Sequence, residues 1–211
     1  MAKLDYKFFP SWVYSFIEFS KEELNPLLKE VELVKANPLN YTSYNYSLRG
    51  QVSEAYELTE SIPFLNDLLL PYIYDYAKEF EFFEHYTVLK NNTTMSLLQP
   101  WVNFQKKYEF NPIHNHTGLF SFVIWLEVPY DYSEVETTID PRKKNSLRTE
   151  GAFNFHFTSA MGEIVTQSLT VDKSMIYKCI VFPAKFYHSI YPFYSIDGTR
   201  ISVSGNFYFD N

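Results

Sequence analysis

The chain has 211 residues, a formal net charge of −7 and a single cysteine, which together admit one domain with a sizeable core and exclude an internal disulfide scaffold. The acidic balance argues against a nucleic-acid backbone as partner, because phosphate binding needs a clustered basic face; Arg142-Lys143-Lys144 is the one basic run and is expected to be a solvated loop. No apolar stretch is long enough to span a bilayer, so the expected partners include neither nucleic acid nor membrane.

Met1 to Pro10 lacks the apolar run of a secretory leader. Cys179 sits among Tyr177, Ile180 and Val181, a setting for a buried thiol, and the expected location is a reducing cytoplasm. The N-x-S/T tripeptides at Asn40, Asn45, Asn91 and Asn92 are then chance occurrences. Aromatic residues make up 19% of the chain, with 18 Tyr and 20 Phe, a content suited to strands and core packing.

Residues 1–94 read as a largely helical support region. Ser20 and Glu23 have capping-box spacing ahead of Leu24, Leu27, Leu28, Val31 and Val34, which predicts a helix that stops near Asn37-Pro38. A second helix is predicted from about Pro63, with Phe64, Leu68, Tyr72, Ile73 and Tyr76 on its apolar face and Pro71 at a kink or an early turn.

From Met95 the period changes to two, the pattern of a strand-rich jelly roll filling residues 95–211. Leu119 to Glu127 is apolar on both faces, as a strand between two layers would be. Phe153, Phe155 and Phe157 alternate with Asn154 and His156, Ile176 to Phe182 is a further buried strand, and Arg200, Ser202, Ser204 and Asn206 share one side of the last strand. The polar stretch Asp131 to Glu150 is longer than most connections and is expected to be a functional or a disordered loop.

Chemistry gathers in the second half. His114-Asn115-His116 puts two imidazoles on one face of an extended backbone, a start for a metal site that does not choose the metal. His188 follows a turn-like Phe182-Pro183-Ala184-Lys185, and Arg200, if it points inward, needs an anion; Ser202 is a further donor beside it. His85 and His156 read as structural, with His156 the reserve ligand.

Together, Trp101-Val102-Asn103, His114-Asn115-His116, Ser121, Trp125-Leu126, Pro129, Val181-Phe182-Pro183, His188, Pro192 and Arg200-Ile201-Ser202 resemble a family of 2-oxoglutarate/Fe(II) oxygenases common in marine phages and bacteria. This is a prolyl-hydroxylase-like group with an H-x-H variant, and the resemblance covers about residues 95–209. It implies a double-stranded β-helix of cupin-like form, Fe(II) held by His114, His116 and His188, and the distal carboxylate of 2-oxoglutarate held by Arg200 and Ser202. Trp101 and Asn103 become pocket residues. The implied activity is dioxygenase hydroxylation of a peptide side chain or small molecule, with the 131–150 loop as a lid, in the host cytoplasm if the source is viral.

Phe122 and Trp125 depart from the Gly and Tyr usual in that family. His116 stands where the wider superfamily has a carboxylate: either it is a true ligand and leaves the site one charge more positive, or the metal has two protein ligands plus water. Two other classes fit the residues: a cupin-type metalloenzyme with a three-His zinc site, although no Glu follows H-x-H before Glu127, and a non-catalytic jelly-roll binding protein of a phage particle. The tripeptide is not an HNH nuclease motif, whose residues are dispersed.

Overall fold

The structure, a computed structural model, describes residues 14–85, 94–132 and 150–210. The readings made for Met1 to Pro10, Asn91, Asn92, Arg142 to Lys144 and most of the 131–150 loop, its role as a lid included, lie outside the described residues.

In chain order the elements are β1 (Ser15–Glu18), α1 (Asn25–Ala36), β2 (Ala55–Glu57), α2 (Ile62–Glu79), β3 (Met95–Leu97), β4 (Trp101–Lys106), β5 (Asn111–His114) and β6 (Phe120–Glu127). They continue with β7 (Phe153–Thr158), β8 (Ile164–Leu169), β9 (Lys178–Pro183), β10 (Tyr187–Ile190) and β11 (Thr199–Phe209). A seven-stranded sheet has the order β1-β9-β6-β11-β4-β2 with β3 also on β11, and a four-stranded sheet has the order β5-β10-β7-β8. Two facing antiparallel sheets of this kind make a jelly roll, the double-stranded β-helix expected from the period-two half of the sequence.

The large sheet separates two cores. On its outer side Phe120, Phe122, Ile124, Cys179, Val181 and Val203 pack against Leu27, Val31, Leu65, Leu69 and Ile73 of the helices. On its inner side Val123, Trp125, Ile180 and Phe182 meet Phe153 and Phe155 of the small sheet. β6 therefore has no polar face, which is why its sequence is a continuous apolar run. Cys179 belongs to the helix-side core, where burial pushes its thiol up, away from a reactive thiolate.

Ser20 and Glu23 make their reciprocal bonds, Ser20 N to Glu23 Oε2 at 2.7 Å and Glu23 N to Ser20 Oγ at 3.2 Å, in the turn that leads into α1. Glu30 of α1 is buried, and its carboxylate accepts the main-chain N–H groups of Thr59, Glu60 and Ser61 at 2.9, 3.0 and 2.8 Å, holding the start of α2. α2 continues past Pro71, and its buried face is Leu65, Leu69, Ile73, Tyr76 and Ala77, which keeps Ile73 and Tyr76 of the predicted stripe and departs from the rest: Tyr72 is exposed, and Phe64 and Leu68 flank the core. The cause is a helix apolar on most sides, so that several stripes fit its sequence. Strands β1 and β2 add an outer strand at each end of the large sheet from the region read as helical.

Candidate functional site

The inner face of the sandwich is built by strand parity. On β11, Arg200, Ser202 and Ser204 stand opposite Gln105, Asn103 and Trp101 of β4, so two alternating strands place a ladder of polar side chains into one cavity. The alternation expected from the sequence persists through Gly205, and the one register shift between β11 and β6 falls at Ile201/Ser202. Ser121 Oγ donates to Asn206 Oδ1 at 2.6 Å and closes this ladder at its far end.

His114 ends β5 directly opposite His188 on β10, with ring centroids 4.2 Å apart. His116 lies just beyond the strand, where its main-chain N–H donates to the Ala184 carbonyl at 2.8 Å. One ligand atom from each of the three rings lies within 4.8 Å of the others, so the trio could hold a metal ion. His116 Nε2 is 3.2 Å from His188 Nε2, close to the spacing of neighbouring ligands on an ion with metal–nitrogen bonds of about 2.1 Å.

The tautomers suit ligation. A carbonyl oxygen can only accept, so Nδ1 of His114, 2.7 Å from the Pro112 oxygen, and Nδ1 of His188, 3.0 Å from the Phe186 oxygen, each carry a proton. The opposite nitrogens are left with lone pairs turned toward the trio. Burial lowers all three pKa values, that of His116 to about 3, with further lowering by neighbouring rings at His116 and His188 and by Arg49 at His114. Phe153 stacks on His188 at 5.3 Å and 11°, fixing its ring, and Trp101 lies 5.8 Å from His116.

Arg200 is 3% exposed, and no carboxylate pairs with it among the described residues. Its Nε and Nη2 donate to Gln105 Oε1 at 3.1 and 2.6 Å, and its Nη1 donates to the Tyr130 hydroxyl at 3.0 Å and to the Gly151 carbonyl. These are neutral acceptors around a full positive charge, and a buried cation so placed calls for an anionic ligand. Burial raises the pKa of Tyr130 against the opposing pull of Arg200, so the phenol keeps its proton and can itself donate.

One cavity between the sheets is lined by His114, His116, His188, Arg200, Ser202 and Asn103, and so joins the residues expected as metal ligands and anion holders, without the reserve ligand His156. A second cavity, of about 320 Å³, shares His114 and His116 with the first and leads outward past Tyr44 and Arg49. His156 is on the other face of the small sheet, bound to Thr166 Oγ1 at 3.0 Å and Ser189 Oγ at 2.8 Å, and takes no part. Gln105, Tyr130 and Gly151 went unnoticed in the sequence. Only Gln105 had a signal, the continuation of Trp101 and Asn103 at spacing two.

A family model for 2OG-Fe(II) oxygenases matches residues 99–206, about half of the chain. Among solved structures, a prolyl-4-hydroxylase of Pseudomonas putida is similar at a TM-score of 0.58 and 12% identity, covering 95% of this chain and 95% of that one. The non-heme alpha-ketoglutarate dependent carbocyclase SnoK of nogalamycin biosynthesis is similar at 0.55 and 10% identity, over 94% and 80% of the two chains. The epimerase SnoN of the same biosynthesis is similar at 0.52 and 13% identity, over 92% and 76%. At these identities the likeness is one of fold. No curated protein sequence matches the chain.

Proposed function

The chain belongs to the 2OG-Fe(II) oxygenase family, and from that premise we propose that His114, His116 and His188 hold Fe(II) while Arg200 and Ser202 hold the distal carboxylate of 2-oxoglutarate. Membership sets aside the cupin-type and non-catalytic alternatives that the sequence left open. The observation that carries the assignment is the pairing, in one cavity, of three neutral imidazoles with a buried guanidinium that has no acidic partner among the described residues.

When bound, Fe(II) with 2-oxoglutarate and O₂ supplies oxidation of a substrate C–H bond coupled to decarboxylation of 2-oxoglutarate to succinate. The chain's own residues supply position and environment. Pro112 and Phe186 carbonyls keep His114 and His188 in the ligating tautomer. Arg200 gives the charge and Ser202 a hydroxyl donor for a carboxylate, while Tyr130 accepts from Arg200 Nη1 and steadies the guanidinium. Trp125, Phe153 and Phe182 line the cavity with apolar surface that excludes water.

The substrate is a peptide side chain or small molecule, hydroxylated at a C–H bond brought in through the outer cavity beside His114 and His116. The full-length likeness to a prolyl-4-hydroxylase supports this reading. The test is succinate formation from 2-oxoglutarate by the Fe(II)-loaded protein in air. Wild type is expected to form succinate and His188→Ala to lose that turnover; equal turnover by both excludes the assignment.

A further inference from the structure

The loop that leads into β2 is closed on itself and tied to the small sheet. Asn45 bridges it, its Nδ2 donating to the Val52 and Ser53 carbonyls at 2.9 and 2.7 Å and its Oδ1 accepting from Ala55 N at 2.8 Å. Gln51 N donates to the Phe110 carbonyl at 2.9 Å, just ahead of β5. Gly50 approaches the same segment so closely that an added Cβ would lie 2.6 Å from Asn111 Cα. Arg49 therefore leaves a fixed backbone, although its own side chain is exposed.

This arginine stands at the outer cavity, one wall of which is the stacked pair Tyr44 and Trp101, with ring centroids 4.4 Å apart at 13°. Trp101 lines the inner cavity as well, so the wall runs from Arg49 to His114 and His116. No aspartate or glutamate lines the outer cavity, and Arg49 forms no ion pair among the described residues. Glu57, which acts on Tyr44 without lining the cavity, accepts from the Tyr46 hydroxyl at 3.1 Å. Burial pushes the Tyr44 phenol up to about 12, so it stays neutral. In a chain of net charge −7 the entrance is thus a local positive site with no anion of its own. Arg49 also acts on His114, opposing its protonation, which sets the cation near the metal ligands.

We infer that the outer cavity takes a substrate bearing a carboxylate, and that Arg49 is the residue that selects it. The inference rests on the proposed iron and 2-oxoglutarate site and names the substrate class for it. A guanidinium matches a carboxylate with two parallel N–H donors. A phosphate dianion would call for a second cation, and the cavity has no other Arg or Lys among the described residues. The three imidazoles bring no negative charge to the metal, so the protein's ligand set does not repel an anion approaching along this wall. A carboxylate on Arg49 leaves the rest of the molecule against Tyr44 and Trp101, with its C–H bonds turned to His114 and His116.

The experiment is calorimetric titration of matched probes into protein loaded with Co(II) and 2-oxoglutarate, so that Arg200 is already occupied. The small probes are the N-acetyl derivatives of proline, leucine and phenylalanine, each as free acid and as primary amide. The peptide probe is a terminally blocked Ala-Pro-Glu-Pro-Ala against its Gln counterpart. Wild type is expected to bind the carboxylate of at least one pair about fivefold more tightly than its uncharged twin. A preference among the small pairs identifies a free acid as the substrate, and one confined to the peptides an acidic peptide. Arg49→Gln is expected to lose the preference and Arg49→Lys to keep part of it. No preference in any pair, absence of binding included, or a preference that survives in Arg49→Gln, overturns the inference. The loading titrations are read separately: a wild type that takes up no Co(II) or no 2-oxoglutarate overturns the iron site itself, and the substrate class with it.

Discussion

Gln105 stands directly opposite Arg200 on the neighbouring strand, and its one side-chain oxygen accepts from both Nε and Nη2 of the guanidinium, at 3.1 and 2.6 Å. With Nη1 taken by Tyr130 and Gly151, one of the five N–H donors that an arginine carries is left for a ligand. Gln105 thus sets the plane of the cation. Replacement by leucine removes that support without touching the imidazoles. Gln105→Leu is expected to weaken 2-oxoglutarate binding to the Co(II)-loaded protein by about tenfold or more while leaving Co(II) affinity unchanged. Calorimetry reads both quantities, and unaltered 2-oxoglutarate affinity contradicts the positioning role.

Gly151 offers a second route to the same group. Its φ of +62° is left-handed, and an added Cβ would overlap the Tyr130 hydroxyl and lie 3.3 Å from Arg200 Nη1. Gly151→Ala is expected to lose thermal stability and most 2-oxoglutarate affinity while the protein that remains folded still binds Co(II). A variant with wild-type 2-oxoglutarate affinity would show that Tyr130 and Arg200 tolerate displacement.

Glu30 lies on the far side of the large sheet from this cavity. Its carboxylate satisfies three main-chain N–H groups ahead of α2, so Glu30→Ala removes the partner of all three, that of the buried Ser61 included. A loss of about 1–3 kcal/mol in urea unfolding is expected, with Co(II) affinity intact. An unaltered urea midpoint would mean that water replaces the carboxylate at no cost.

The buried imidazoles make stability depend on pH. Burial holds His114, His116 and His188 below their ordinary values in the metal-free fold, His116 at about 3. The unfolded chain takes up protons near pH 6.5 and the folded one does not. The unfolded state therefore binds more protons below that pH, and stability, fully present above it, falls as pH drops toward the folded values. The limit is about 1.4 kcal/mol per pH unit for each imidazole. Urea midpoints at pH 7.5 and 5.5 are expected to fall in wild type and to fall less in His116→Leu. An equal fall in both would place the proton uptake elsewhere.

The parts of the site that could be read from the sequence were those fixed by parity within a strand. Arg200, Ser202, Ser204 and Asn206 share a face by spacing, a relation a strand keeps in any jelly roll, and His114 and His116 converge at the same spacing although β5 ends at His114. Gln105 and Tyr130 could not be reached that way. Gln105 matters because of register, which sets it against Arg200 across two strands 95 positions apart, and Tyr130 because the chain turns after β6. β1 and β2, of 4 and 3 residues, are too short for a period to show, and their pairing with longer strands decides their conformation.

The most direct measurement is anaerobic titration of Fe(II) into the metal-free protein with 2-oxoglutarate present, following the weak visible charge-transfer band of the chelate. Wild type is expected to develop the band, His188→Ala to lose it, and Arg200→Ala to need far more 2-oxoglutarate to reach it. A wild-type protein that binds Fe(II) without the band, or a band that survives in His188→Ala, would contradict the assignment of His114, His116, His188 and Arg200 to a common iron and 2-oxoglutarate site.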